Sequence, residues 1–133
     1  MSKVHRKDIK LVYLEPIGFI GLGKMGGGIV RNFLERGVCV HVYDKNKTIR
    51  KIFNELGAVV HDSPLKVALH TTKVFLCLPF TPEVETVLFD ANGIIQKKGN
   101  ELTVIDLSTI HSADARSFRA KLRKKNISYC DCP

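Results

Sequence analysis

The chain has 133 residues, 44% of them hydrophobic and 26% charged, with a formal net charge of +8 at pH 7. That length suits one α/β domain with a real core and is too short for a cofactor domain paired with a substrate domain. No apolar run reaches a membrane span, and the N-terminal MSKVHRKDIK has no apolar h-region, while Asp8 and the scarcity of serine argue against a mitochondrial address. A cytoplasmic chain with no membrane partner is therefore expected.

Residues 1–16 are charged, carry one apolar patch at Leu11–Val12–Tyr13–Leu14, and end at Pro16; they are expected to form a partly disordered extension. The apolar run Ile17–Gly18–Phe19–Ile20 then enters Gly21–Leu22–Gly23–Lys24–Met25–Gly26. A helical apolar pattern follows at Met25, Ile29, Val30, Phe33 and Leu34 and stops at Gly37. Val38 to Tyr43 reads as a second strand ending on Asp44. Strand, glycine turn, helix and strand make one βαβ unit with the G-x-G-x-x-G spacing.

Each glycine has a physical task in a dinucleotide site. Gly21 allows the tight turn off the strand, Gly23 lets the backbone approach a pyrophosphate, and Gly26 lets the helix pack close to the strand, so that the phosphates meet free N–H groups at the helix start. Lys24 is read as a solvent-facing residue of the turn more than as a phosphate cation. Asp44, about 18 residues beyond Gly26, stands where a carboxylate accepts hydrogen bonds from the adenosine ribose. That predicts NAD, with NADP kept open by the neighbouring Lys45, Asn46 and Lys47.

A helix with Ile49, Ile52, Phe53 and Leu56 on one face comes next, closed by Gly57. It leads to a short strand, Ala58–Val60, and a helix capped by Asp62 or Ser63 with Pro64 in its first turn. Lys73 to Leu78 is a continuous apolar strand that stops at Pro79, as expected when both faces of a parallel sheet are covered. Thr81 is expected to cap the following helix, which carries Val84, Val87 and Leu88. A fifth strand spans Leu102–Leu107, with Ser108–Thr109–Ile110 as its exit. A helix over 112–125 and a sixth strand, Ile127–Cys130, complete a Rossmann-type doubly wound parallel sheet in three α/β/α layers. Gly21, Asp44, Pro79 and Ser108 all fall at the carboxyl ends of strands, where such sheets bind ligands.

The remaining chemistry-bearing residues give weaker signals. Cys39 and Cys77 fit buried-strand positions, and Cys130–Asp131–Cys132 has no second pair at zinc-like spacing. The histidines, His5, His41, His61, His70 and His111, show no pairing at ligand spacing and read as separate surface or strand positions, so no metal site is expected. Asp106 reads as a structural residue. Segment 111–126 carries Arg116, Arg119, Lys121, Arg123, Lys124 and Lys125 against Asp114 alone, a basic face that reads as a solvated helix side and otherwise as a nucleic-acid surface.

Three motifs together resemble the β-hydroxyacid dehydrogenase family, which includes 3-hydroxyisobutyrate dehydrogenase and 6-phosphogluconate dehydrogenase. They are Ile17 to Gly26, IGFIGLGKMG; Val74 to Val87, VFLCLPFTPEVETV; and Ile105 to Ile110, IDLSTI, with Tyr129 to Pro133, YCDCP, similar to the start of D-A-P-V-S-G-G. The resemblance covers residues 17–133. It implies pyrophosphate contacts from the backbone of Leu22, Lys24 and Met25, an adenosine border at Leu78, Pro79 and Val84, a nicotinamide contact at Thr109, and Ser108 near the substrate carboxylate.

The sequence departs from the family pattern at Ser112, where a proline is usual, and at Cys132, where alanine is usual. Pro133 comes before V-S-G-G and before the helix that carries the family's catalytic lysine. No catalytic residue is therefore assigned, and a helical catalytic domain is expected to be absent from a trimmed or truncated chain. The resemblance implies an NAD(P)-binding domain of an oxidoreductase acting on a small 3-hydroxy acid, able to bind cofactor without turnover and monomeric or weakly dimeric by itself. The alternative is a non-enzymatic dinucleotide-sensing or nucleic-acid-associated module of the same fold.

Overall fold

The computed structural model describes residues 15–133, so the extension expected over 1–16 lies, apart from Glu15 and Pro16, outside the described residues. Six strands, β1 (Ile17–Ile20), β2 (Val40–Tyr43), β3 (Val59–Val60), β4 (Lys73–Leu76), β5 (Leu102–Asp106) and β6 (Ile127–Asp131), form one parallel sheet in the order β3-β2-β1-β4-β5-β6. Five helices connect them: α1 (Lys24–Glu35), α2 (Lys47–Glu55), α3 (Pro64–Leu69), α4 (Thr81–Phe89) and α5 (Ser112–Arg123). The strand order reverses between β1 and β4, which is the topological switch point of a doubly wound sheet.

Alternation along the strands divides the core into two layers. Phe19, Val40 and Val42 point to the face covered by α1 and α2, where they join Val30 and Phe53. Ile20, Val74, Leu76, Leu102 and Val104 point to the face covered by α3, α4 and α5, against Val67, Leu88, Phe118 and Leu122. Phe19 is fully buried and stacks on Phe75 across the β1–β4 pair, ring centroids 5.9 Å apart. Removing such a side chain costs about 3–5 kcal/mol. This stack therefore holds the strand from which the glycine turn leaves.

Several boundaries differ from the sequence expectation for identifiable reasons. Strand β2 starts at Val40 and not Val38, because the Val38 N–H donates to the Phe33 carbonyl and the Gly37 N–H to that of Leu34, a helix-closing pair. The same arrangement at Ala58 and Gly57, bonded to Phe53 and Asn54, delays β3 to Val59. Strand β4 leaves the ladder after Leu76, since the Leu78 N–H turns to the Ser108 hydroxyl at 2.9 Å. Ser63 caps α3 as expected, accepting from the Lys66 N–H, but Phe80 occupies the cap of α4 and Thr81 lies inside that helix.

Two side chains expected in ordinary positions are not. Cys39 precedes β2 and is exposed, so it is not the small core residue the pattern suggested. Lys97, a charged residue in the connection between α4 and β5, is buried after a single 3-10 turn (Ile94–Gln96) and donates from Nζ to the Thr71 carbonyl at 2.8 Å. Burial lowers its pKa. Among the described residues no helix is long and apolar enough to cross a membrane.

Candidate dinucleotide site

The glycine turn is built as its spacing implies. Gly21 has φ +99°, and a Cβ there would collide with the Cys77 carbonyl on β4's exit. A Cβ on Gly26 would collide with the Gly21 carbonyl and lie 3.0 Å from Phe19 Cε1, so a larger residue would push α1 off β1. Gly23, the residue before α1, has nothing within 4 Å of its Cβ position, which leaves the backbone open toward the cleft. The Gly27 N–H is the first to find a helical acceptor, the Gly23 carbonyl at 2.7 Å. The N–H groups of Lys24 and Met25 lie in the turn before it, where a helix offers its donors to an anion.

Asp44 ties this turn to β2. One carboxylate oxygen accepts from the Leu22 N–H at 2.8 Å and the other from the Asn46 N–H at 2.9 Å. Of the three N–H groups expected to meet a pyrophosphate, that of Leu22 is thus already bonded within the chain. A carboxylate has about four lone-pair sites, so Asp44 retains acceptors for a ribose hydroxyl.

These residues border a cleft of about 930 Å³ whose walls come from the glycine turn, Tyr43–Lys45, Asp62–Pro64, Cys77–Pro79 and the cleft-facing side of α4. Leu78 and Pro79, the expected adenosine border, line it. Val84 does not: it is fully buried in the core, and Pro82, Glu83, Thr86 and Val87 supply the wall in its place. Glu83 Oε2 is buried without a hydrogen-bond partner, an acceptor in the cleft wall. The Cys77 thiol in the same wall has its pKa raised by burial and then by the Asp106 charge, with the Gly26 N–H opposing.

The carboxyl end of β5 is arranged differently. Asp106 is fully buried; its oxygens accept from the Ser108 N–H at 2.9 Å and the Tyr129 hydroxyl at 2.5 Å. Burial first, and that bond to Asp106 second, push the Tyr129 pKa far up. Ser108 is buried with its hydroxyl accepting from Leu78, and it lies outside the cleft lining; Thr109 is exposed beside it. The Ser108 hydroxyl therefore joins the exits of β4 and β5.

Two other groupings were not legible in the sequence. Lys47, Arg50, Lys51 and Lys66 line a shallow groove of about 460 Å³ that shares Asp62 with the cleft. His41, His61 and His70, expected to be unrelated, stack at the β2–β3 edge with centroids 4.7–5.3 Å apart. The basic run of α5 is partly committed, since Arg119 bonds the Asp131 carboxylate at 2.8 Å and Lys121 lies over the Phe89 ring.

A parallel sheet in this order, with its glycine turn and open helix N-terminus at the switch point, defines a dinucleotide-binding domain of the Rossmann class. The model of the NAD binding domain of 6-phosphogluconate dehydrogenase matches residues 16–133, and the chain belongs to that family. It is similar to mouse mitochondrial 3-hydroxyisobutyrate dehydrogenase, 32% identical over 118 residues that make up 89% of this chain and 35% of that protein. It is also similar to 3-sulfolactaldehyde reductase of Escherichia coli, 32% identical over 90% of this chain and 40% of that protein. The solved structure of Psf3 in complex with NADP+ and 2-OPP superposes with a TM-score of 0.80 at 27% identity, covering 88% of this chain and 42% of that one. The chain thus spans well under half the length of these relatives. The family includes mitochondrial and bacterial proteins, so membership does not select the cytoplasm.

Proposed function

We propose that the cleft binds a nicotinamide dinucleotide and that the chain serves as the cofactor domain of an oxidoreductase acting on a small 3-hydroxy acid. The observation that carries the reading is the pair of Lys24 and Met25 N–H groups at the start of α1, facing a cleft with no Cβ at Gly23 to obstruct a pyrophosphate. The adenosine lies toward Asp44, Leu78 and Pro79, and the nicotinamide half runs across the switch point toward the exposed Thr109. When bound, the nicotinamide supplies or accepts hydride; this chain's residues hold and orient it. The lysines of the cleft wall among the described residues are Lys24 and Lys45, at the phosphate and adenosine ends, and neither is placed to carry the alcohol proton. Turnover is accordingly assigned to the chain segments that the relatives possess beyond the matched region.

Asp44 supports NAD over NADP, because a 2′-phosphate would place further negative charge beside its carboxylate. Calorimetric titration with NADH and with NADPH tests both parts. Tighter NADH binding without turnover of 3-hydroxy acids is the expected result. Tighter NADPH binding would reverse the cofactor preference and point to the groove of Lys47 and Arg50 as a phosphate reader, and binding of neither would overturn the reading.

A further inference from the structure

We propose that His41, His61 and His70 form a binding site for a divalent transition-metal ion of the zinc class, with three imidazole ligands and a fourth position open to water. Three separate elements bring the side chains together: His41 comes from β2, His61 from the residue following β3, and His70 from the C-cap of α3. Val40 and Val42 enter the core on the α1–α2 face, so His41 between them points to the α3 face, where the other two lie. One ligand nitrogen from each ring falls within 4.8 Å of the other two.

The hydrogen bonds favour coordination at this spot. His41 Nδ1 and His61 Nε2 face each other at 2.8 Å. Two nitrogens bound to one zinc ion at about 2.0–2.1 Å with near-tetrahedral angles stand about 3.3 Å apart, so this pair needs to open by only about half an ångström. His70 Nδ1 lies 2.7 Å from the Lys66 carbonyl, an acceptor only, which places the proton on Nδ1 and leaves the Nε2 lone pair free. A backbone carbonyl holding the second nitrogen is the usual way a metal-binding histidine is fixed in tautomer and orientation. The rings now stack with interplanar angles of 9°, 16° and 25°, and rotation about their side-chain torsions turns the nitrogens to a common point.

The donor set selects the ion. Three neutral imidazoles without thiolate or carboxylate suit zinc, nickel, cobalt or copper, and not magnesium or calcium, which take oxygen ligands. Two of the imidazoles, His41 and His61, are also biased toward the neutral form. Burial lowers the pKa of His41, helped by His61 and His70; burial and His70 lower that of His61, with Asp62 opposing and Lys66 assisting. Asp62 and Lys66 are bonded to each other at 2.8 Å, so the local field is nearly balanced. For His41 and His61 the shift is in the direction that favours a metal over a proton.

The test is a titration of metal-stripped protein with zinc and, separately, with cobalt(II) as a spectroscopic stand-in. A Cys39→Ser/Cys130→Ser/Cys132→Ser background removes the three exposed thiols, two of which, Cys130 and Cys132, lie 3.3 Å apart. One equivalent bound at about micromolar strength is expected, with cobalt d–d bands and no thiolate charge-transfer band. His61→Ala and His70→Ala should each weaken binding at least about tenfold. The exposed His111→Ala should leave it unchanged, and thermal unfolding without metal should show that each variant still folds. Equal affinity in the His61 and His70 variants, or no binding of zinc or cobalt at 100-fold higher concentration, would overturn the proposal. None of these readouts depends on nucleotide binding, so the site and the dinucleotide reading fail separately.

Discussion

At the carboxyl end of β1, the N–H groups of Lys24 and Met25 face an open cleft, whereas at the carboxyl end of β5 the Asp106 carboxylate is closed off by Tyr129 and Ser108. Both ends sit on the same edge of the same sheet and carry sequence motifs of similar sharpness. The difference lies in where the polar groups find partners. An unpaired donor set at a helix start is held ready for a ligand. A buried carboxylate with its partners in place fixes the backbone, and removing one member exposes the others to the full penalty of an unmet hydrogen bond. The β1 end is thus the place to look for binding and the β5 end the place to look for stability.

Substitution at Gly26 should separate the two ends most strongly. In Gly26→Ala the new Cβ meets the Gly21 carbonyl and Phe19. The shift of α1 should cost about 1–3 kcal/mol and, by misplacing the N–H groups, weaken nucleotide binding about a hundredfold in a calorimetric titration. Asp106→Ala should do the reverse. It strands the Tyr129 hydroxyl and the Ser108 N–H, lowering unfolding free energy in urea by about 3 kcal/mol while the folded protein binds nucleotide as before.

Tyr129→Phe is a gentler version, expected to cost about 1–2 kcal/mol. It also carries a pH signature. The folded pKa of Tyr129 is raised above its ordinary value of 10.0, so the wild-type protein holds this stabilisation below pH 10 and loses it as pH rises further, when the unfolded chain ionises and the folded one does not. Unfolding curves at pH 9 and pH 11 should show a smaller loss in the phenylalanine variant. Asp44→Asn keeps an acceptor for Leu22 but removes the charge, and should narrow the NADH-to-NADPH affinity ratio about tenfold. Lys24→Ala should change nucleotide affinity by less than about threefold, because its side chain is exposed and the contact comes from its backbone.

The sheet, its strand order and the glycine turn were legible because each rests on local pattern: a continuous apolar run, a glycine where φ must be positive, a helix face with period 3.6. The boundaries missed at Val38, Ala58 and Leu78 depend on which carbonyl or hydroxyl a single N–H finds, and that is a tertiary matter. The same holds at the site. Gly21 and Gly26 act as their spacing implies, but the pairing of Leu22 with Asp44 and of Ser108 with Leu78 joins residues 22 and 30 positions apart. No periodicity reports such a contact. Val84 lies in the core with Leu88, one turn along α4, while the side that carries Glu83 and Thr86 faces the cleft. The histidine stack was hidden because gaps of 20 and 9 residues are meaningless until β2, β3 and α3 are laid side by side.

Backbone amide NMR of the isotope-labelled chain, titrated with NADH, tests the central claim most directly. The largest shifts should fall on the Gly23, Lys24 and Met25 amides, with smaller ones at Leu78 and around Asp44, and little change at Ser128 and Cys130 on the far side of the sheet. Shifts that spare the start of α1 and gather instead on Lys47, Arg50 and Lys66 would contradict the account, placing the nucleotide in the basic groove and leaving the glycine turn a packing device.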